Sequence, residues 1–240
     1  MAIPAKYFKS KLFFTVGIIG LLAVLIGFST TFFLPLSKGT FRAPAIVHIH
    51  AAFAFAWVLL FILQAVFIQT KNIKLHKKLG VLGMLIAAGI VITFVPVGLF
   101  QVKKELDAGL GQTAISSIVG IITSGVIFGS LVIAALLKRN QPLIHKHLML
   151  LATILLLWPA WFRFRHFFPS VPHPDIWFAV VLADSLFIIS IIWYRVATGR
   201  HSQTLLVIGS LIIVEHMIEV YLFDGTAWRS LANAIYGVLS

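Results

Sequence analysis

The sequence predicts an all-α protein, a seven-transmembrane-helix bundle that forms a single polytopic membrane domain over residues 1–240. Three observations predict it. Of the 240 residues, 60% are hydrophobic and only 11% charged, whereas an ordinary soluble domain is about half apolar and a quarter charged. Apolar stretches recur seven times, each near the roughly 20 residues that a helix needs to cross a bilayer core. Those stretches are continuous, without the period of two that a strand carries, so a β-barrel is excluded.

The first stretch, Leu12–Phe33, follows Lys6, Lys9 and Lys11. That opening resembles a signal peptide, but the run is too long and no small-residue cleavage site follows it, so a retained helix is expected. The second, Ala45–Ile68, opens on Val47-His48-Ile49-His50. The third, Leu79–Phe100, follows Leu75-His76-Lys77-Lys78 and contains Pro96, where a kink is expected. The fourth, Ala114–Leu137, carries Gly125 and Gly129; with Gly80 and Gly83 these small residues are expected to let the third and fourth helices approach closely. The fifth, Leu148–Arg163, follows Ile144-His145-Lys146-His147 and holds Pro159, a second expected kink. The sixth, Ile176–Val196, contains Asp184, and the seventh, Thr204–Phe223, contains Glu215, His216 and Glu219.

Charge sets the expected orientation. The net charge is +12, but the basic residues stand in short loops at helix ends, where the bias toward cytoplasmic Lys and Arg explains them without a nucleic-acid partner. With the N-terminus inside and the C-terminus outside, twelve basic residues fall on the inner side and seven on the outer, together the 19 of the chain. The absence of cysteine excludes disulfides, thiolate ligands and cysteine nucleophiles.

The motif before the third run returns before the fifth. Pairing Leu75–Leu79 with Ile144–Leu148 superposes one helix start on the other, so the second-third and fourth-fifth helices read as a repeated helical hairpin about an axis along the membrane normal. His76 and His145 then occupy equivalent places, with His147 beside them. Two imidazoles on facing helices of a four-helix bundle are what bis-histidine ligation of haem b requires. The competing reading is that all three belong to ordinary basic loops at the helix mouths.

A second constellation lies toward the outer side. Ionisable groups inside a membrane helix are expensive and usually functional. Glu215 and Glu219 share a helix face at i,i+4, and His216 nearly joins Glu219 at i,i+3. With His48 or His50 they form a donor set suited to iron, copper or zinc. His48 and His50 point roughly 200° apart on a regular helix, so both cannot face one site. Alternatively, Arg163 neutralises Asp184 or Glu215 in a structural network with His50 as a hydrogen-bonding partner.

The order His-x-His, Gln64, Leu-His-Lys-Lys-Leu-Gly, His-Lys-His-Leu-Met and Arg163 resembles a broad group of uncharacterised bacterial multi-helix integral membrane proteins, over the second to fifth helices. The resemblance implies this topology and a bacterial inner membrane, and flags His48, His50, His76, His145 and Arg163. More distantly, the paired histidines are similar to membrane b-type cytochromes and haem-copper oxidase assembly proteins. The fourth run has no histidine, so a two-haem pattern is not met; the seventh has no lysine for retinal and no His-x-x-x-His for zinc hydrolysis. The leading expectation is therefore a haem- or metal-binding membrane protein of electron transfer or respiratory-complex assembly, partnered by the lipid bilayer and by subunits of such a complex. The alternatives are a small transporter or channel that handles protons or an anionic solute through the outer cluster, and a structural accessory subunit without cofactor.

Overall fold

The computed structural model of the chain describes residues 5–240, with side chains from Lys11 onward; the side chains of Lys6 and Lys9, used in the charge count, lie outside the described residues. Among these the secondary structure is helical throughout, without strands. Six helices are long and apolar enough to cross a membrane, or seven if the bent first pair is one span.

That first span is α1 (Ala5–Gly27) followed by a π-helical turn, Ser29–Phe33, and the short α2 (Leu34–Ser37). The two parts meet at 47°, so the expected single helix is broken at Gly27–Ser29. α3 (Ala45–Gln69) turns through Lys71, at φ 59°, into α4 (Ile73–Asp107). The Asn72 side chain caps α4 by accepting from the Leu75 amide at 3.2 Å, the ordinary use of Asn at this place. α4 has 35 residues and runs without interruption through Pro96, so the kink expected there does not break the helix. At 1.5 Å per residue it is about 52 Å long, more than a bilayer core needs, and its charged residues stand near its two ends.

α5 (Gln112–Leu137) leads to α6 (Pro142–Leu156). Here proline acts as the sequence predicts: α6 ends, and the helix restarts as α7 (Trp158–Phe162) with Pro159 in its first turn, followed by a 3₁₀ turn at Arg163–His166. A π-helical stretch, Asp175–Leu182, opens α8 (Ala183–Thr198), and another, Thr204–Ile208, opens α9 (Gly209–Leu222). The seventh apolar stretch ends at Phe223, and the chain beyond it forms a further helix, α10 (Thr226–Leu239).

Helices α3 to α6 form a closed ring in which each packs on the next and α3 touches α6. α1 packs against α3 and α8, α9 against α8, and α10 against α5. The central element is α6: 56% of the span it begins is buried, against 17% for α3. Leu150, Leu151, Ile154 and Leu157 are almost completely covered. The opposite pattern holds on α4 and α5, where Leu85, Ile92, Val126 and Ile133 are 60–73% exposed. Each pair is seven residues apart, two turns along one helix face, and such an apolar face is stable only against lipid or another apolar surface.

The glycines divide the packing differently from expectation. Gly125 and Gly129 do face Phe94 and Val91 of α4, but Gly80 and Gly83 face Gln64 and Leu60 of α3. Among the described glycines, Gly27 of α1 meets backbone most tightly, at the Ala160 carbonyl of α7, where no Cβ fits.

Candidate functional site

α9 carries Glu215, His216 and Glu219 over little more than one turn, so His216 points inward while the two glutamates flank it. His216 and Asp184 of α8 are each 2% exposed. Nδ1 of His216 lies 2.6 Å from Oδ1 of Asp184; with the carboxylate accepting, the imidazole donates from Nδ1 and its other nitrogen is directed away. Trp158 and Phe187 pack around the ring. Nε2 of His216 is 3.8 Å from Oε2 of Glu215, too long for a direct hydrogen bond and within reach of one after a small side-chain movement. The Asp184 Oδ2, His216 Nε2 and Glu215 Oε2 atoms are buried without a hydrogen-bond partner.

Glu219, the next acid on this face, rests its carboxylate directly on Gly120 of α5. Both glutamates line a groove of about 430 Å³ between α5, α9 and α10. Leu211, Val214, Ile218 and Leu231 form its apolar walls, and Trp228 lies at its edge. The buried Asp184–His216 pair, its orphaned imidazole nitrogen and the groove carboxylates Glu215 and Glu219 thus lie together at this face of α9.

The α10 wall is held by a clasp. Asp224, at φ 59°, sits in the left-handed region that Asp tolerates better than most residues. It accepts from Thr113 Oγ1 at 2.9 Å and Ser116 Oγ at 2.6 Å, both on α5. Arg229 binds it bidentately, Nε at 2.8 Å and Nη2 at 2.6 Å. The Arg229 fork, with the Ser116 and Thr113 hydroxyls, holds the Asp224 carboxyl below the usual carboxylate range, against a smaller opposing effect of burial. Trp228 Nε1 donates to the Ser116 carbonyl at 2.9 Å, which pins the indole beside the groove. Sequence reasoning missed α10 and this clasp. The available signal was the amphipathic pattern of Trp228, Leu231, Ala232, Ile235 and Tyr236 after the Asp224-Gly225 turn.

The expected five-residue donor set is divided. His48 packs on Phe32 and Phe41, and His50 Nδ1 bonds Thr93 Oγ1 at 2.8 Å. The Thr93 hydroxyl itself donates to Gly89 O, so His50 is the donor of that pair. Neither joins Glu215, His216 and Glu219, and among the described residues no group of three or more His, Asp or Glu side chains converges as a metal shell. Arg163 pairs with neither Asp184 nor Glu215. It donates to Pro159 O at 2.8 Å and lies 4.1 Å over the Phe28 ring, with Glu105 the acid within electrostatic range.

At the other end of the ring, α4 and α6 stand diagonally across from each other, and His76 and His145 at their starts are within electrostatic range. His145 donates from Nδ1 to Ala135 O at 2.8 Å, while His76 Nδ1 has no hydrogen-bond partner. His147 is separate: fully buried, it meets Ser202 Oγ at 2.8 Å through Nδ1, with Tyr194 edge-on to its ring. Comparison with protein families, with characterised proteins and with solved structures finds no match.

Proposed function

We propose that the protein is a small membrane transporter or channel that handles protons, with Asp184, His216, Glu215 and Glu219 as its relay. The observation that carries this reading is the His216 imidazole: fixed through Nδ1 by a buried carboxylate, it presents an unpartnered Nε2 toward Glu215 on the groove. An imidazole held this way can accept a proton at Nε2 and return it, the Asp184 carboxylate stabilising the imidazolium that forms. Glu215 and Glu219 extend the path to the groove surface. Histidine and carboxylate chains inside membrane helices are the usual carriers of protons there. The setting proposed is a bacterial inner membrane with the N-terminus inside.

The test is a liposome assay with an internal pH-sensitive dye and an imposed potassium diffusion potential. The wild-type protein is expected to accelerate acidification over empty liposomes. Glu215→Gln and His216→Gln are each expected to slow it by about tenfold or more, the scale of a lost positioned proton carrier. Wild-type flux equal to that of empty liposomes would sink the reading.

A second reading is favoured by a different observation. His76 and His145 lie within electrostatic range at one end of the four-helix ring, and the Nδ1–H of His145 already donates to a backbone carbonyl, the kind of bond that orients a metal-ligating imidazole through Nε2. These two residues would hold haem b for electron transfer or for assembly of a respiratory complex. Protein purified from haem-replete cells would then show a Soret band, lost in either His76→Ala or His145→Ala; a featureless spectrum would end this second reading.

A further inference from the structure

The groove beside the relay combines features that ordinary lipid-facing surface lacks. A smaller concavity of about 280 Å³ on α8, formed by Ile189, Ile192, Trp193 and Val196, has apolar walls alone. The groove between α5, α9 and α10 has similar walls, a larger volume of about 430 Å³, two carboxylates and an indole. Leu211, Val214, Ile218 and Leu231 are 48–62% exposed, so the groove is open along its side to whatever surrounds the helices. Glu215 is 28% exposed by its side chain, whereas His216 behind it is 3% exposed and has its Nε2 unpartnered. Among the described residues no cationic side chain lines the groove, and Arg229, on the same α10, is turned to Asp224.

We propose that this groove binds a lipophilic monovalent organic cation, an alkylated or arylated ammonium or phosphonium, and exchanges it for a proton. The proposal rests on the proton-handling reading above and names the solute of that same site. The chemistry is complementary at each point. The apolar walls take the hydrocarbon part of the ligand, Glu215 and Glu219 supply the opposite charge, and the Trp228 indole attracts a cation at its face. A hydrated inorganic cation would gain nothing from the apolar walls, and an anion would meet two carboxylates. Charge balances in the exchange. A carboxylic acid of the pair loses its proton as the cation arrives, and that proton leaves through His216 or to solvent, so one cation replaces one proton. The titratable groups that face the groove are Glu215 and Glu219 of α9, with His216 and its partner Asp184 of α8 behind them and the Asp224–Arg229 clasp at its α10 edge.

The experiment is isothermal titration of the purified full chain in detergent with tetraphenylphosphonium and, in parallel, with tetraphenylborate, an anion of the same shape. Saturable binding of the cation and not the anion is expected, weakening as the pH is lowered because protons compete. Glu219→Gln is expected to weaken cation binding by about tenfold, the loss of one charge contact, and Trp228→Ala by roughly threefold or more. Equal binding of both probes would overturn the proposal, since the groove would then be merely apolar. The anion control and the pH dependence use the wild-type chain, so the outcome does not depend on the variants folding. If the liposome assay gives proton flux but tetraphenylphosphonium does not bind, the cation proposal fails and proton handling stands. If neither flux nor binding is found, both fail.

Discussion

Asp224 is the residue on which α10 hangs, and its chemistry fixes a sign. Its folded carboxyl titrates below the usual range because the ionised form receives the Arg229 fork and two hydroxyls. A group depressed in the folded state stabilises fully above its unfolded value, near 3.9 for Asp, and that contribution is lost as pH falls through the lower folded value. Amide-exchange protection of α10 is therefore expected to be flat from neutral pH to about pH 4 and to decline below it. Asp224→Asn should lower protection at neutral pH, because the Arg229 fork and the two hydroxyls lose their charged acceptor, and should remove the acid-side decline. Unchanged exchange in the variant would show that α10 is held by its apolar face alone. Gly120 makes a second residue-scale case. A methyl there would collide with the Glu219 carboxylate, so Gly120→Ala should displace that acid and slow proton flux at little cost in stability, since the end of a flexible side chain can move aside. Flux equal to wild type would contradict the placement of Glu219.

At the scale of elements, the broken helices are what position the polar groups. α6 and α7 are separated at Leu157, and α8 and α9 each open with a π-helical stretch. Such irregularities rotate the residues that follow relative to a straight helix, and here Asp184 and His216 both follow one. The Gly27–Ala160 contact joins α1 to the restarted α7 without room for a side chain. Gly27→Leu is expected to part these helices and lower the thermal midpoint of the purified protein by several degrees, for about 1–3 kcal/mol of overpacking strain; an unaltered midpoint would mean that the contact yields freely. The repeated motif was legible as a pair of helix starts because His-Lys before an apolar run is visible in one dimension. That the two histidines end across a ring from each other depends on how α3 to α6 close, which no spacing encodes.

For the whole molecule, the short loops make the Lys and Arg distribution a meaningful statement about topology. Reporter fusions after Lys78 and Lys146 are expected to read cytoplasmic, and fusions after Lys104 and Pro172 external; the inverse pattern would reverse the orientation. The sequence by itself determined the membrane class, the positions of the spans and the fact that Asp184, Glu215, His216 and Glu219 lie inside them. Hydropathy summed along the chain is a local quantity, and burial of about 20 apolar residues per span leaves few alternatives. Only the tertiary structure decided which polar groups meet. It paired Asp184 with His216 rather than with Arg163, and left His48 and His50 with Phe41 and Thr93 instead of bringing them to α9. It also folded the last helix against α5 to complete the groove. Partner choice depends on the rotation of each helix about its axis, and that rotation is set by breaks, glycine contacts and side-chain packing between segments distant in sequence.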